Sequence, residues 1–283
     1  MSVSQNFSLN NVSIWFLYRR IIINLQSKHS QDMDRISNND IKKIRLLQQK
    51  KFRDETGLFI VEGEKMVEEA SRSRFEVEHT WRKDVIGEEA MKRISALASP
   101  SPVLAVVRKP SDIIVEDSSS LAGLLAGGGL YLGLDTIRDP GNLGTILRIA
   151  DWFGIDAVFA TKDTVDVFNP KVVQATMGAI FRVKMHYVDL PELSQNILDM
   201  GGKVYGTFLD GKNIYQRELS TGTGKPAMIV IGNESEGISA RMSALVSDRL
   251  YIPPYPADTP GSESLNAAIA TALTVAEFRR RTF

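Results

Sequence analysis

The stretch LYLGLDTIRDPGNLGTILRIADWFGIDAVFA (130–160) decides the fold. Residues 130–135 form an apolar run that ends in an acid and reads as a strand. Asp139-Pro140 then opens a helix, because a capping carboxylate followed by proline at the first helical position suits the free N–H groups there. That helix is predicted from about Asn142 to Phe153, with Ile146, Ile149, Ala150 and Phe153 as its buried stripe and Arg148 pointing elsewhere. Gly144 and Thr145 precede Arg148 by four and three residues, so the surface around the guanidinium is expected to be small and open, with room for a phosphate or a ribose. Residues 157–160 are the next apolar strand.

The same alternation continues downstream. Strands are expected at 181–188, 203–209 and 227–232. Helices are expected from Pro170, over 192–200 and 240–247, and from Ser262 to Arg281. The last of these has Leu265, Ile269, Ala272 and Ala276 as its predicted packing stripe. Near-continuous apolar strands separated by amphipathic helices imply a parallel sheet covered on both faces, with ligands at the carboxyl ends of the strands.

Upstream, KPSDIIVEDSSSLAGLLAGGG (109–129) has a proline, three consecutive serines and a glycine triplet, and reads as a linker. Before it, residues 33–108 read as a small α/β unit containing the run NDIKKIRLLQQKKFR (39–53). That run carries Lys42, Lys43, Arg45, Lys50, Lys51 and Arg53 against a single acid, Asp40. Ile41, Ile44, Leu47 and Phe52 follow near-helical spacing, so its apolar side can pack while its basic side faces out. Residues 1–32 differ in composition from the rest and are expected to be an extension without a role. The apolar segment 12–25 inside them is split by Arg19 and Arg20 and is too short to span a bilayer. No secretory leader is recognised, so the cytoplasm is the expected location.

Composition narrows the chemistry. Among 283 residues there is no cysteine, which excludes disulfides and thiol catalysis. Only His29, His79 and His186 are available for a metal centre or a serine-histidine hydrolase. Lys and Arg total 34 against 34 Asp and Glu, but a neutral sum can hide a basic region on an acidic remainder. Neither GxxxxGK[ST] nor a strand followed by GxGxxG occurs, which argues against a P-loop NTPase and a nicotinamide oxidoreductase.

Three polar loops stand at strand ends instead: 135–154, VIGNESEGIS (230–239) and IPPYPADTPGSESLNAAIATAL (252–273). In this order and spacing they resemble the three motifs of the SpoU-type 2′-O-ribose RNA methyltransferases of the SPOUT superfamily. The resemblance covers roughly residues 40–283. It includes KKFRDETGLFIVEGEKMVEEA (50–70), which is similar to the opening of an L30e-like substrate-binding domain.

The resemblance implies an α/β fold with a SPOUT-type parallel sheet and a C-terminal trefoil knot, one of the rare exceptions to unthreaded topology. A smaller L30e-like α/β domain at 33–108 would precede a catalytic domain at 130–283. It implies S-adenosyl-L-methionine as cofactor, held by main-chain groups of Gly232, Ile252 and Leu265. Asn142, Arg148, Glu234, Ser264 and Asn266 match the family's polar set. A guanidinium is a reluctant base, so Arg148 is expected to clamp a phosphate and the developing alkoxide rather than to take the proton. The expected partners are RNA, ribosomal in preference to transfer RNA, and a second copy of the chain in a homodimer. The basic residues of 42–53 would contact phosphates, and no metal or membrane partner is expected. A catalytically silent RNA-binding assembly factor of the same fold is the alternative.

Overall fold

The computed structural model of the chain describes residues 36–219, 224–256 and 264–281. Segment 1–32, Pro260 and Ser262 lie outside the described residues.

The basic run folds as two helices. The first, Asn38–Leu46, starts in a capping box: Ser37 Oγ accepts from the Asp40 N–H at 3.1 Å while the Asp40 carboxylate accepts from the Ser37 main-chain N–H at 3.4 Å. A turn follows, and Lys50–Thr56 forms a second helix that Gly57 ends at φ 69°. This break changes where the last cation points. Arg53 is 1 % exposed, and its Nη2 and Nε donate to Asp166 Oδ2 at 2.6 and 2.9 Å. Its Nη1 donates to the carbonyls of Leu47 and Gln48. The expectation that Arg53 contacts RNA is therefore corrected, since every nitrogen of its guanidinium is committed inside the protein.

Strands β1 (Leu58–Glu62), β2 (Val77–Arg82) and β3 (Val103–Arg108) form an antiparallel sheet in the order β1-β3-β2. Alternation sends Phe59, Val61, Ala105 and Val107 to one face and Ile60, Leu104 and Val106 to the other. The second face is covered by Ile41, Ile44 and Leu47 and by Met91 and Ile94 of helix Glu88–Ile94.

A six-stranded sheet holds β4 (Gly129–Leu134), β5 (Ala157–Ala160), β6 (Met185–Tyr187), β7 (Lys203–Asn213), β8 (Pro226–Ile231) and β9 (Asp248–Tyr251). Its order is β6-β5-β4-β8-β7-β9 and every pairing is parallel. Leu130, Leu132 and Leu134 enter one core with helices Pro140–Trp152 and Ala267–Arg280. Tyr131, Phe159, Met228 and Val230 enter another with helix Leu190–Asp199. Both faces are thus covered, as expected of strands that are apolar throughout. From β4 the chain first builds outward through β5 and β6. It then returns to the other side of β4, which makes the β4–β8 boundary the switch point of the sheet.

Several boundaries differ from expectation. Strand β9 was not anticipated, and the helix expected over 240–247 stops at Ser243. Only Met185–Tyr187 of the strand expected at 181–188 is extended, because Gly178 at φ 94° turns Ala179–Phe181 into a 3-10 turn. The final helix starts at Ala267 and buries Ala267, Ala268, Thr271, Thr274, Val275 and Phe278. Leu265 and Ile269 of the predicted stripe are instead 47 % and 51 % exposed. Ala267, Ala268, Thr271 and Thr274 face inward ahead of Val275 and Phe278, and this helix lies beside Pro140–Trp152. Their ends are tied by Asn266 to Asn142 at one extreme and by Arg279 Nε to the Phe153 carbonyl at 2.8 Å at the other.

Residues 109–129 do not run as a bare linker. The Val115 N–H donates to the Tyr187 carbonyl and the Tyr187 N–H to the Ile113 carbonyl, which holds 113–115 against β6, and Leu121 and Leu125 are buried beneath the sheet. The smaller sheet also shares a core with the larger one. Phe59 lies 4.6 Å from Phe168 and Phe75 lies 5.2 Å from Phe181, ring centre to ring centre. Arg182 joins the two units as well, pairing with both Glu69 and Asp151.

Candidate functional site

Leu134 and Ile231 are register partners, so the loops leaving β4 and β8 emerge side by side at the switch point. The first loop is held from below. Asp135 is 3 % exposed, and its Oδ2 accepts the Ser239 N–H at 2.8 Å. Thr136, at φ 62°, donates its N–H to Thr161 Oγ1. Asp139 Oδ1 then accepts the Asn142 N–H at 2.7 Å and starts the helix, as the Asp-Pro pair predicts.

Asn233 organises the second loop and joins it to the first. Its Nδ2 donates to the Thr136 carbonyl at 2.8 Å and its Oδ1 accepts the N–H groups of Ser235 and Glu236. A pair of 2.9 Å main-chain bonds between Asn233 and Gly237 closes the turn. A Cβ placed on Gly232 would lie 2.3 Å from the Gly237 carbonyl carbon, so only glycine fits where the loop folds back on itself. Asn233 and Asp135 are positioning residues that the sequence reading did not single out. Their signal was present as an acid and an amide each placed next to a strand end.

With the turn closed, Glu234 reaches out to the first helix. Asn142 Nδ2 donates to Glu234 Oε1 at 2.5 Å, and Asn142 Oδ1 accepts from Asn266 Nδ2 at 2.8 Å. Asn266 Oδ1 caps the last helix by accepting from the Ala268 and Ile269 N–H groups. One residue from each of the three loops, separated by 92 and 124 positions in the chain, thus forms a continuous polar relay.

Arg148 and Ser264 are placed differently. Arg148 is exposed and forms no hydrogen bond or ion pair with another described residue. At about 100° per residue it projects roughly 120° around the helix from Asn142, away from the relay. Gly144 does not open the surface beside it, contrary to expectation. A Cβ there would lie 2.4 Å from Ala175 Cβ, so this glycine serves close contact with helix Pro170–Ala175. Ser264 is exposed and bonds to no described residue. Gly232 and Ile252 follow β8 and β9, and Leu265 precedes the last helix.

On the smaller unit, Lys42, Lys43 and Arg45 are exposed without an ion pair among the described residues. Lys50 pairs with Asp54 at 2.5 Å and Lys51 with Glu55 at 3.8 Å, one helical turn on, and both remain largely exposed. Among the described residues no group of three His, Cys, Asp or Glu side chains could hold a metal ion. No described helix is long and apolar enough to cross a membrane.

Comparison with known proteins extends this geometry. Residues 38–108 match the MRM3-like substrate binding domain. The 23S rRNA (guanosine(2553)-2′-O)-methyltransferase RlmP of Bacillus subtilis is 30 % identical over 264 residues, covering 88 % of this chain and 99 % of that protein. A TrmH-family structure from Porphyromonas gingivalis superposes with a TM-score of 0.74 at 37 % identity, covering 87 % of this chain and 99 % of its own. The AdoMet-bound rRNA methyltransferase of Sinorhizobium meliloti does so with a TM-score of 0.76 at 26 % identity, covering 88 % and 98 %. Residues 129–276, which contain all three loops of the relay, match the SpoU rRNA Methylase family, and the chain belongs to that family.

Proposed function

We propose that this chain transfers a methyl group from S-adenosyl-L-methionine to a ribose 2′-hydroxyl of structured RNA, ribosomal RNA in preference to transfer RNA. The observation that carries the reading is the Glu234–Asn142–Asn266 relay at the switch point of the sheet. The names of the B. subtilis and S. meliloti relatives support the substrate and the cofactor.

The residues present fit the cofactor. Gly232, Ile252 and Leu265 would hold it through main-chain groups, and none of their N–H groups donates to a described residue. When bound, the cofactor supplies an electrophilic methyl group on a sulfonium. The chain then has to align the 2′-hydroxyl and stabilise the charge that grows on its oxygen, and positioning alone lowers the barrier by several kcal/mol. Arg148 holds the phosphate beside the target ribose and the developing alkoxide. Asn142 fixes the direction of the Glu234 carboxylate, and Ser264 and Asn266 complete the polar set.

The chain would act as a homodimer in the cytoplasm, with a C-terminal trefoil knot. Trp152 is 85 % exposed, and Ile269 and Leu273 are 51 % and 39 % exposed on the neighbouring helix. A second copy seated on these helices would cover them beside Arg148, which lies one turn before Trp152. Lys42, Lys43, Arg45, Lys50 and Lys51 would contact RNA phosphates.

The test is incubation of the full chain with methyl-labelled S-adenosyl-L-methionine and a large-subunit rRNA transcript, followed by nucleoside analysis. Label in a 2′-O-methyl nucleoside is the expected result. Bound cofactor without labelled RNA would favour the silent assembly factor.

A further inference from the structure

β2 is an edge strand, and two rings stand on its outer face. His79 and Trp81 lie opposite Val106 and Leu104, on the side of the small sheet turned away from the larger one. Their ring centroids are 4.1 Å apart at an interplanar angle of 48°. The imidazole is exposed and the indole half-buried, its inner side packed against the cluster that contains Ile41, Ile44 and Leu104. Neither ring nitrogen bonds to a described residue. Beside them stands the first turn of helix Asn38–Leu46, where Ser37 foremost, and Lys43 and His79 in lesser part, hold the Asp40 carboxyl below its ordinary range; Lys43 is exposed on that flank, and Lys42 and Arg45 are exposed on other faces of the helix.

We propose that His79 and Trp81 form a stacking platform for an unpaired nucleobase of the RNA, with Lys43 holding an adjoining phosphate. This rests on the RNA reading given above and adds a second anchoring point to it. Aromatic faces next to an unpaired lysine suit nucleic acid, because a base offers a flat π-surface and its flanking phosphate supplies the opposite charge. The open indole and imidazole nitrogens add hydrogen-bonding groups at the rim. An apolar protein segment fits the surface less well, since Lys43 would be left facing it. Single-stranded loops and bulges expose such bases, whereas an A-form duplex keeps them stacked. The platform lies on the face of the small sheet opposite the larger unit, so it anchors RNA remote from Arg148. It therefore governs substrate affinity and leaves the transfer step alone.

The experiment measures fluorescence-anisotropy binding of a 12-nucleotide oligoadenylate and a 12-base-pair RNA duplex to the full chain. It compares wild type with the His79→Ala, His79→Phe and Trp81→Phe variants, each first checked for an unchanged melting temperature. His79→Ala is expected to weaken oligoadenylate binding about tenfold. His79→Phe should restore it, Trp81→Phe should retain most of it, and duplex binding should not move. With a large-subunit rRNA transcript, His79→Ala should raise KM by a similar factor at constant kcat. Oligoadenylate affinity within twofold of wild type in His79→Ala overturns the platform, as does equal loss in His79→Phe or no RNA binding by wild type. Normal RNA binding through His79 with no methyl transfer by wild type refutes the methyltransferase reading and leaves the platform standing.

Discussion

Asn142 uses both ends of its side-chain amide, one for Glu234 and one for Asn266, and so fixes three loops with a single residue. Arg148 stands apart from that relay, and its role depends on a planar, bidentate guanidinium that an ammonium cannot imitate. The Arg148→Lys variant should lose at least about a hundredfold in methyl-transfer rate, read from initial velocities at pH 7. Its cofactor affinity, read by calorimetric titration, should stay within twofold. Gly232→Ala is expected to do the reverse first. A Cβ 2.3 Å from main-chain carbon must push the loop open, so cofactor affinity should fall about tenfold or more in the same titration. Each member of the relay was legible as a residue because each sits in a loop of recognisable pattern. Their mutual bonds were not legible, since nothing in sequence spacing orients an amide. Arg53 was misread for the converse reason. A cation in a basic run looks solvent-facing until its partner, Asp166, is brought in from 113 positions away.

At the scale of elements, the strands that were read correctly are the ones apolar from end to end, such as β4 and β8. Strand β9 escaped because it has four residues, Asp248 and Arg249 among them, and pairs along one edge only. The last helix shows how a hydrophobicity pattern can mislead. Leu265 and Ile269 lead the expected inner stripe, yet both are exposed, and the interior is taken by Ala267, Ala268, Thr271 and Thr274 together with Val275 and Phe278. The far end of that helix carries its own lock. Glu277 accepts from Arg280 and Arg281, which hold its carboxyl down at about 2, well below the ordinary 4.5. A depressed folded value means the lock is fully present above about pH 4.5 and fades as pH falls toward 2. Glu277→Gln should therefore cost about 2 kcal/mol at pH 7, measured by urea unfolding. The gap to wild type should close as the denaturation series is carried toward pH 2.

At the scale of the whole molecule, the smaller and larger sheets pack on a common core. Glycine and serine content marks a change in pattern at 109–129 but says nothing of what the segment packs against. The Arg53–Asp166 pair spans that boundary with side chains 2 % and 9 % exposed. Removing one partner strands a buried charge, so Arg53→Met should destabilise the protein by about 3 kcal/mol, read from the urea midpoint by circular dichroism. Oligomeric state belongs to this scale too. Light scattering at micromolar concentration should report twice the 31.4 kDa chain mass, and a monomer would contradict a pairing through Trp152, Ile269 and Leu273. The shared core has one more consequence. Phe59 and Phe75 of the smaller unit pack their rings on Phe168 and Phe181 of the larger, so melting one sheet strips apolar cover from the other and the two are expected to unfold together. Heating should give a single calorimetric endotherm. A protease that nicks the chain between the sheets should leave two fragments that travel together on a sizing column, like halves of one cooperative body rather than beads released from a string.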